Sequence, residues 1–273
     1  MFKSNLALRT ISGIVFVALI AGSILVHPYL FALFFSVVSA CTAFEFQRLM
    51  NTHQKSQLHP LVSAAGALFL FISTFLYSSG FSGSVIFGIY ILYVIVVFVA
   101  ELYRKQPDPL NNWAYFCYSQ VYTALPFALL NGIIYIGDFY HPMLLLALFV
   151  TIWVNDTGAY VFGVSFGKHR LFERVSPKKS WEGFVGGAVF ALISGYVFSL
   201  FIPGISLINW LVFSEIIVAF GTLGDLTESL LKRSLGIKDA GNIIPGHGGM
   251  LDRFDSMLLA APVIFLFLKL IYR

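Results

Sequence analysis

Long runs without a charged residue recur from end to end of this 273-residue chain. Each is long enough for the roughly 20 residues that cross a bilayer as a helix. Punctuation by Gly, Pro and charge separates them into nine, near 8–26, 29–50, 61–79, 84–103, 113–136, 143–163, 181–202, 207–231 and 254–272. At 58% hydrophobic and 11% charged residues, the chain is far from a soluble domain, in which about 25% of residues are charged. The expected class is an all-α polytopic membrane protein with about nine transmembrane helices. The basic, apolar N-terminus resembles a signal peptide, but no soluble domain follows it, so it reads as an uncleaved first helix. Cys41 and Cys117 lie in separate apolar runs and offer neither a disulfide framework nor zinc spacing.

The basic residues orient these helices. With the N-terminus cytoplasmic, all of the 17 lysines and arginines except Lys269 and Arg273 fall in inner segments or at inner helix ends, as the positive-inside bias requires. The expectation is therefore N-in and C-out. Outer connections such as Pro203-Gly204-Ile205-Ser206 are short and carry no Lys or Arg, whereas two inner ones, roughly 164–180 and 232–253, are long and polar. Chemistry is thus expected near the cytoplasmic face. No internal repeat or linker divides the chain. It reads as a single integral membrane domain over 1–273, with helices 1–4 in 1–110 and the chemically rich helices 5–9 in 111–273.

Three clusters carry the polar chemistry. Asn155-Asp156-Thr157-Gly158 lies late in the sixth run and leads into Ser176-Pro177-Lys178-Lys179-Ser180. Gly224-Asp225-Leu226-Thr227-Glu228, followed by Lys232-Arg233, closes the eighth. Gly246-His247-Gly248-Gly249-Met250-Leu251-Asp252-Arg253-Phe254-Asp255 precedes the ninth. A carboxylate in a membrane helix costs roughly 2.5–3.5 kcal/mol on insertion scales and needs a partner or a wet cavity. Asp225, Glu228 and Lys232 stand at i, i+3 and i+7 and share a helix face, and Asp252 and Asp255 do so if the last helix begins there. Such carboxylates suit a hard divalent cation, and magnesium is usually shared with substrate phosphates. Lysines and Gly-rich backbone beside them suit phosphate. Together these are the parts for phosphoryl or nucleotidyl transfer.

Plainer readings stand beside these. Lys178-Lys179 and Lys232-Arg233 are either topology signals or phosphate contacts. Asp225 and Glu228 are either ligands or structural partners of Lys232 and Arg233. Glu45 and Glu101 read as local ion pairs with Arg48 and Arg104, and Gly183 with Gly187 as a small-residue helix-packing pair. Glu215 has no basic neighbour in sequence and no assigned role.

The run from Ser229 to Asp255, with Lys232, Arg233, Lys238, Gly241, Pro245, Gly246, His247, Gly248, Gly249, Asp252 and Arg253 in order, closely resembles the signature of the phosphatidate cytidylyltransferases, also called CDP-diacylglycerol synthases. Asp156-Thr157-Gly158-Ala159-Tyr160, the stretch Ser176–Gly183 and Gly224-Asp225-Leu226-Thr227-Glu228-Ser229 resemble further motifs of that family. Ser180 stands where many members carry Thr. The motifs cover roughly the second half of the chain; the first four helices match only in hydropathy and in the early Arg9-Thr10.

The resemblance implies a magnesium-dependent membrane enzyme that joins CTP to phosphatidic acid, giving CDP-diacylglycerol and pyrophosphate in phospholipid biosynthesis. On that basis Asp225 and Asp252 are the first candidates for metal ligands, with Glu228 and Asp255 as further ligands. Lys178, Lys179, Lys232, Arg233 and Lys238 are candidates for holding the triphosphate and the lipid phosphate. His247 with Gly246, Gly248 and Gly249 would close over the nucleotide, Arg253 would pair with phosphate or orient Asp252, Ser180 would join the phosphate contacts, and Asp156 would share the polar cavity. The implied partners are CTP, phosphatidic acid and the lipid bilayer, with a homodimer as the assembly to consider and no nucleic acid. The implied location is a bacterial cytoplasmic membrane, with multiple passes. The rival functions are a CTP-dependent lipid kinase and, less well supported, a secondary transporter, which would place its carboxylates near the midplane between inverted repeats.

Overall fold

The computed structural model describes residues 2–241 and 248–272. Helix α1 is Phe2–Val26, α2 Pro28–Gln54, α3 Pro60–Ser78 and α4 Phe87–Arg104. Helices α5 (Pro109–Ser119) and α6 (Leu125–Ile134) run end to end through a π turn at Gln120–Ala124. Helix α7 is Pro142–Phe166, α8 Trp181–Phe201, α9 Leu207–Ser234 and α10 Leu251–Ile271. Among the described residues, seven helical segments are long and apolar enough to cross a membrane: α2, α3, α4 with its leading 3₁₀ turn, α7, α8, α9 and α10. Helix α1 contributes a shorter apolar stretch, Thr10–Val26. The chain is an all-α polytopic membrane protein, and among the described residues its β-strands are confined to one small exception.

That exception is an antiparallel hairpin between α7 and α8, β1 Arg170–Phe172 and β2 Ser176–Ser180, where the hydropathy pattern predicts only an inner loop. Its strands are too short and too polar to show a strand period, so local pattern does not reveal them. Several helices also outrun their apolar cores. α2 continues to Gln54, α5 begins at Pro109, and α10 begins at Leu251 rather than near 254. Hydropathy marks the apolar thickness a helix crosses, while caps mark where the helix ends, and the two differ where polar turns project beyond the lipid.

The starts are written in the sequence. Pro28, Pro60, Pro109 and Pro142 occupy the first turn of α2, α3, α5 and α7. Proline's fixed φ and missing N–H cost nothing at that position. The Asp108 carboxylate accepts the Asn111 N–H at 3.0 Å, and the Ser180 hydroxyl accepts the Gly183 N–H at 3.1 Å.

The chain forms two compact units, one of Met1–Tyr140 with Asp239–Arg253, the other of His141–Lys238 with Phe254–Arg273. In the first, a core of Phe31, Phe35, Phe46, Phe71 and Phe127 is wholly buried. At one end of it Glu101 pairs with Arg104, as its spacing predicts, and accepts the Asn112 amide at 3.0 Å. In the second unit α7 and α8 pack through small residues. A Cβ at Gly183 would lie 2.8 Å from the Ala159 carbonyl oxygen, and one at Gly187 would overlap the Asn155 side chain. Lipid tails supply no hydrophobic drive between such helices, so close backbone approach and dispersion hold them. That is the packing role expected of Gly183 and Gly187.

Candidate active site

Within the second unit, α7, β2, α9 and α10 line a cavity of about 330 Å³. Helix α7 contributes Asn155 and Asp156, β2 contributes Lys178, Lys179 and Ser180, α9 contributes Thr222 and Asp225, and α10 contributes Ser256. The approach of α9 to α10 depends on Gly224, where any Cβ would overlap the Asp255 carbonyl oxygen.

Charge is concentrated here. Lys179 Nζ lies 2.7 Å from Asp225 Oδ2, and the Ser229 hydroxyl donates to Asp225 Oδ1 at 3.2 Å. Asp156 and Asp255 are near enough to repel Asp225 and each other and to feel the Lys179 ammonium. Asp156, Asp225 and Asp255 thus lie within one another's field beside Lys179, and Lys178 lines the same cavity. Among the described residues no three His, Cys, Asp or Glu side chains converge as a ready-made metal cage. Magnesium does not require one, since it is commonly held by one or two carboxylates together with waters and substrate phosphates. The donor set of Asp225 and Asp156 fits that ion.

The hairpin that presents Lys178 and Lys179 is pinned at its root. The Glu182 carboxylate, in the first turn of α8, accepts the Lys168 and His169 N–H groups at 3.1–3.2 Å and lies 2.6 Å from His169 Nδ1. Glu182 falls in the Ser176–Gly183 motif, but its pairing with His169 spans the loop and is not visible in sequence. Ser180, buried beneath the cavity, spends its hydroxyl on capping α8. Lys178 also lines the cavity and is exposed.

The other candidates divide by place. Glu228 is fully buried and its carboxylate lies 2.5 Å from Lys232 Nζ, an i,i+4 pair within α9. Helical spacing puts Asp225 and Glu228 on one face, yet Asp225 reaches the hairpin while Glu228 turns to its own helix. The Arg233 guanidinium donates to the Ile237 carbonyl at 3.4 Å, and Lys238 is exposed. Glu215 stands apart, in an apolar groove of about 380 Å³ with Leu211, Ile216 and Phe220.

In the first unit, Asp252 Oδ2 accepts the N–H groups of Ala240 and Gly249, each at 2.9 Å. Gly248 has φ +85°, a conformation that glycine adopts without strain. Arg253 is exposed. Gly246 and His247 lie outside the described residues. Glu45 feels the Arg48 charge, as its spacing predicts, but its hydrogen bond goes elsewhere: Oε2 accepts the Leu251 N–H at 2.8 Å, at the start of α10. A carboxylate in an apolar helix is the only sequence signal for this contact, and the partner lies 206 residues away.

The cytidylyltransferase family model matches residues 7–271, nearly the whole chain. The chain belongs to the cytidylyltransferase family. Among curated relatives, the phosphatidate cytidylyltransferase of Haemophilus influenzae is 33% identical, over 93% of this chain and 95% of its own length. Those of Bacillus subtilis and Staphylococcus saprophyticus are 49% and 48% identical over 44% of this chain, covering 45% and 46% of their own lengths. Membership extends the likeness well beyond the motif-bearing half, into helices where sequence alone offered hydropathy and one dipeptide.

Proposed function

We propose that the protein transfers the cytidylyl group of CTP to phosphatidic acid, forming CDP-diacylglycerol and releasing pyrophosphate. The observation that carries this reading is the family match over residues 7–271 together with a phosphatidate cytidylyltransferase 33% identical over 93% of the chain. The cavity of Asp156, Lys179 and Asp225 supports it chemically.

In this reaction an oxygen of the phosphatidate phosphate forms a bond to the α-phosphorus of CTP, and the bond from that phosphorus to the bridging β-phosphate oxygen breaks. A phosphate monoester carries about −1.5 to −2 charge near neutrality, by analogy with phosphoserine, so the nucleophile needs little help from a base. The obstacle is bringing two polyanions together. Lys179 and Lys178 supply positive charge at the cavity, and Lys179 can exchange its Asp225 contact for a phosphate oxygen. Asp225 and Asp156 are the residues that would hold magnesium. When bound, that ion would neutralise triphosphate charge and stabilise the departing pyrophosphate. A ligand role for Asp252 rests on the signature motif, and its observed contacts are with the Ala240 and Gly249 N–H groups. We place the reaction at the cytoplasmic face of a bacterial inner membrane, where CTP is available.

The deciding measurement follows label from CTP. With purified protein, phosphatidic acid and magnesium, α-phosphorus label is expected in the lipid fraction, while γ-label leaves as pyrophosphate. A CTP-dependent kinase would instead move γ-label into lipid and release CDP, and that result would overturn the proposal.

A further inference from the structure

The chain leaving α7 passes directly over the residue that follows Lys179. A Cβ at Gly167 would overlap the Gly163 carbonyl oxygen and stand 2.8 Å from Ser180 Oγ. The next two residues are tied to the same place. Glu182 Oε2 accepts the Lys168 N–H at 3.1 Å, both carboxylate oxygens accept the His169 N–H at 3.2 Å, and Oε1 lies 2.6 Å from His169 Nδ1. The Trp181 N–H donates in return to the His169 carbonyl at 2.9 Å. Strand β1 begins at the following residue, where Arg170 stands opposite Ser180 of β2. The start of α8 does not need Glu182, because the Ser180 hydroxyl already caps it by accepting the Gly183 N–H. The helix dipole favours a carboxylate in this turn whichever way it points, and this one points back at the loop. All of these residues belong to the second unit, as does the cavity.

We propose that Glu182 is a positioning residue for the reaction: by clasping Lys168 and His169 to the start of α8, it fixes β1 against β2 and so holds the Lys179 ammonium at the cavity. This rests on the cytidylyl-transfer reading. The clasp touches no reacting atom. Lys179 lies in β2, one residue before the capping Ser180, with Nζ 2.7 Å from Asp225 Oδ2. A lysine carries its charge on a flexible four-carbon stem, so its accuracy depends on how firmly the backbone beneath it is held. Without the clasp, β1 is free to part from β2, and Lys179 meets the CTP phosphates less often. Loss of a contact made alike in the ground and transition states raises KM and leaves kcat. The signature is therefore a raised KM for CTP with kcat largely kept.

The test compares Glu182→Ala and Glu182→Gln with wild type in detergent, titrating CTP at fixed phosphatidic acid and magnesium. Glu182→Ala is expected to raise KM for CTP about fivefold, with kcat within about twofold of wild type, the split that a lost uniform contact produces. Glu182→Gln keeps the length of the side chain and one acceptor oxygen, so it should fall between the two. It carries the same test if Glu182→Ala yields too little folded protein. Because the effect runs through Lys179, Glu182→Ala should add little to KM in a Lys179→Gln background. Hydrogen exchange at the Lys168 and His169 N–H groups, read by mass spectrometry on peptides covering residues 164–172, needs no turnover. It should be faster in both variants than in wild type, and equal rates would overturn the clasp. Faster exchange with unchanged KM, or strict additivity with Lys179→Gln, would overturn the positioning role alone. Wild type that transfers no cytidylyl group from CTP would overturn the cytidylyl reading and this role with it, whatever the exchange shows.

Discussion

Lys179 Nζ sits 2.7 Å from Asp225 Oδ2, joining the hairpin after α7 to a carboxylate of α9. The pair is partly solvated, with about a quarter of the lysine side chain and a third of the aspartate side chain exposed. Its strength as a structural bond is accordingly small. Its value lies in holding a cation and an anion at the mouth of one cavity, each ready to exchange partners when substrate arrives.

Asp225→Asn is expected to remove turnover by at least about 100-fold, the scale seen when one preorganised electrostatic group is lost, while leaving a protein that extracts and elutes normally. Magnesium titration checks it, and near-normal activity at every magnesium concentration would remove Asp225 from the metal role. Glu215→Gln is the control, because Glu215 lies in an apolar groove rather than in this cavity. Its turnover should stay within about threefold.

Lys178 and Lys179 separate topology from phosphate contact. Exchanging both for Gln leaves Lys168, Arg170 and Arg174 in the same inner segment to hold orientation. Half-saturation for CTP should rise about tenfold with expression and topology intact, and Lys179→Gln alone should account for most of it. Unchanged kinetics would return the pair to its role as a topology signal.

Glu228 and Lys232 form a buried pair, with 0% and 14% of their side chains exposed. Removing one member of such a pair typically costs about 3–5 kcal/mol, whereas replacing both with apolar or neutral groups is often close to neutral. Lys232→Met should therefore lower the thermal midpoint in detergent markedly, and Glu228→Gln with Lys232→Met should recover most of it. A Glu228→Gln variant with wild-type stability but weakened magnesium response would instead make Glu228 a ligand.

Gly224 and Gly221 test the approach of α9 to α10. A methyl at Gly224 overlaps the Asp255 carbonyl oxygen, whereas one at Gly221 meets Ser256 Cβ at 3.6 Å, an ordinary contact. Gly224→Ala should cost about 1–3 kcal/mol through overpacking and reduce turnover, while Gly221→Ala should be tolerated. Equal thermal midpoints for the two variants would show that the helices do not approach as described.

The distribution of Lys and Arg predicts a cytoplasmic N-terminus and an external C-terminus. Reporters placed after Ser82, Asp108, Lys179 and Arg273 should read out, in, in and out. An inward C-terminus would refute the nine-span count.

Much of the fold was written locally. Uncharged runs of about 20 residues locate helices because the bilayer imposes that length, and Pro28, Pro60, Pro109 and Pro142 mark starts because proline suits a first turn. Membership of the cytidylyltransferase family was also readable, because its motifs are contiguous strings such as Ser229–Asp255. Sequence likewise singled out Lys179, Asp225 and Asp156 as polar residues that an apolar chain would not carry idly.

What sequence spacing left open was the choice of partner. A period of 3.6 residues says that Asp225 and Glu228 share a face of α9, but not that Asp225 meets Lys179 of a hairpin while Glu228 closes on Lys232. Glu45 shows the same limit more sharply. Its neighbour Arg48 offers a plausible local pair, yet its hydrogen-bond partner is Leu251, 206 residues away. Local periodicity and charge depend on a few covalently near residues, so they can be read in one dimension. The contacts of a buried carboxylate depend on which backbones approach it, and that is decided only when the helices pack.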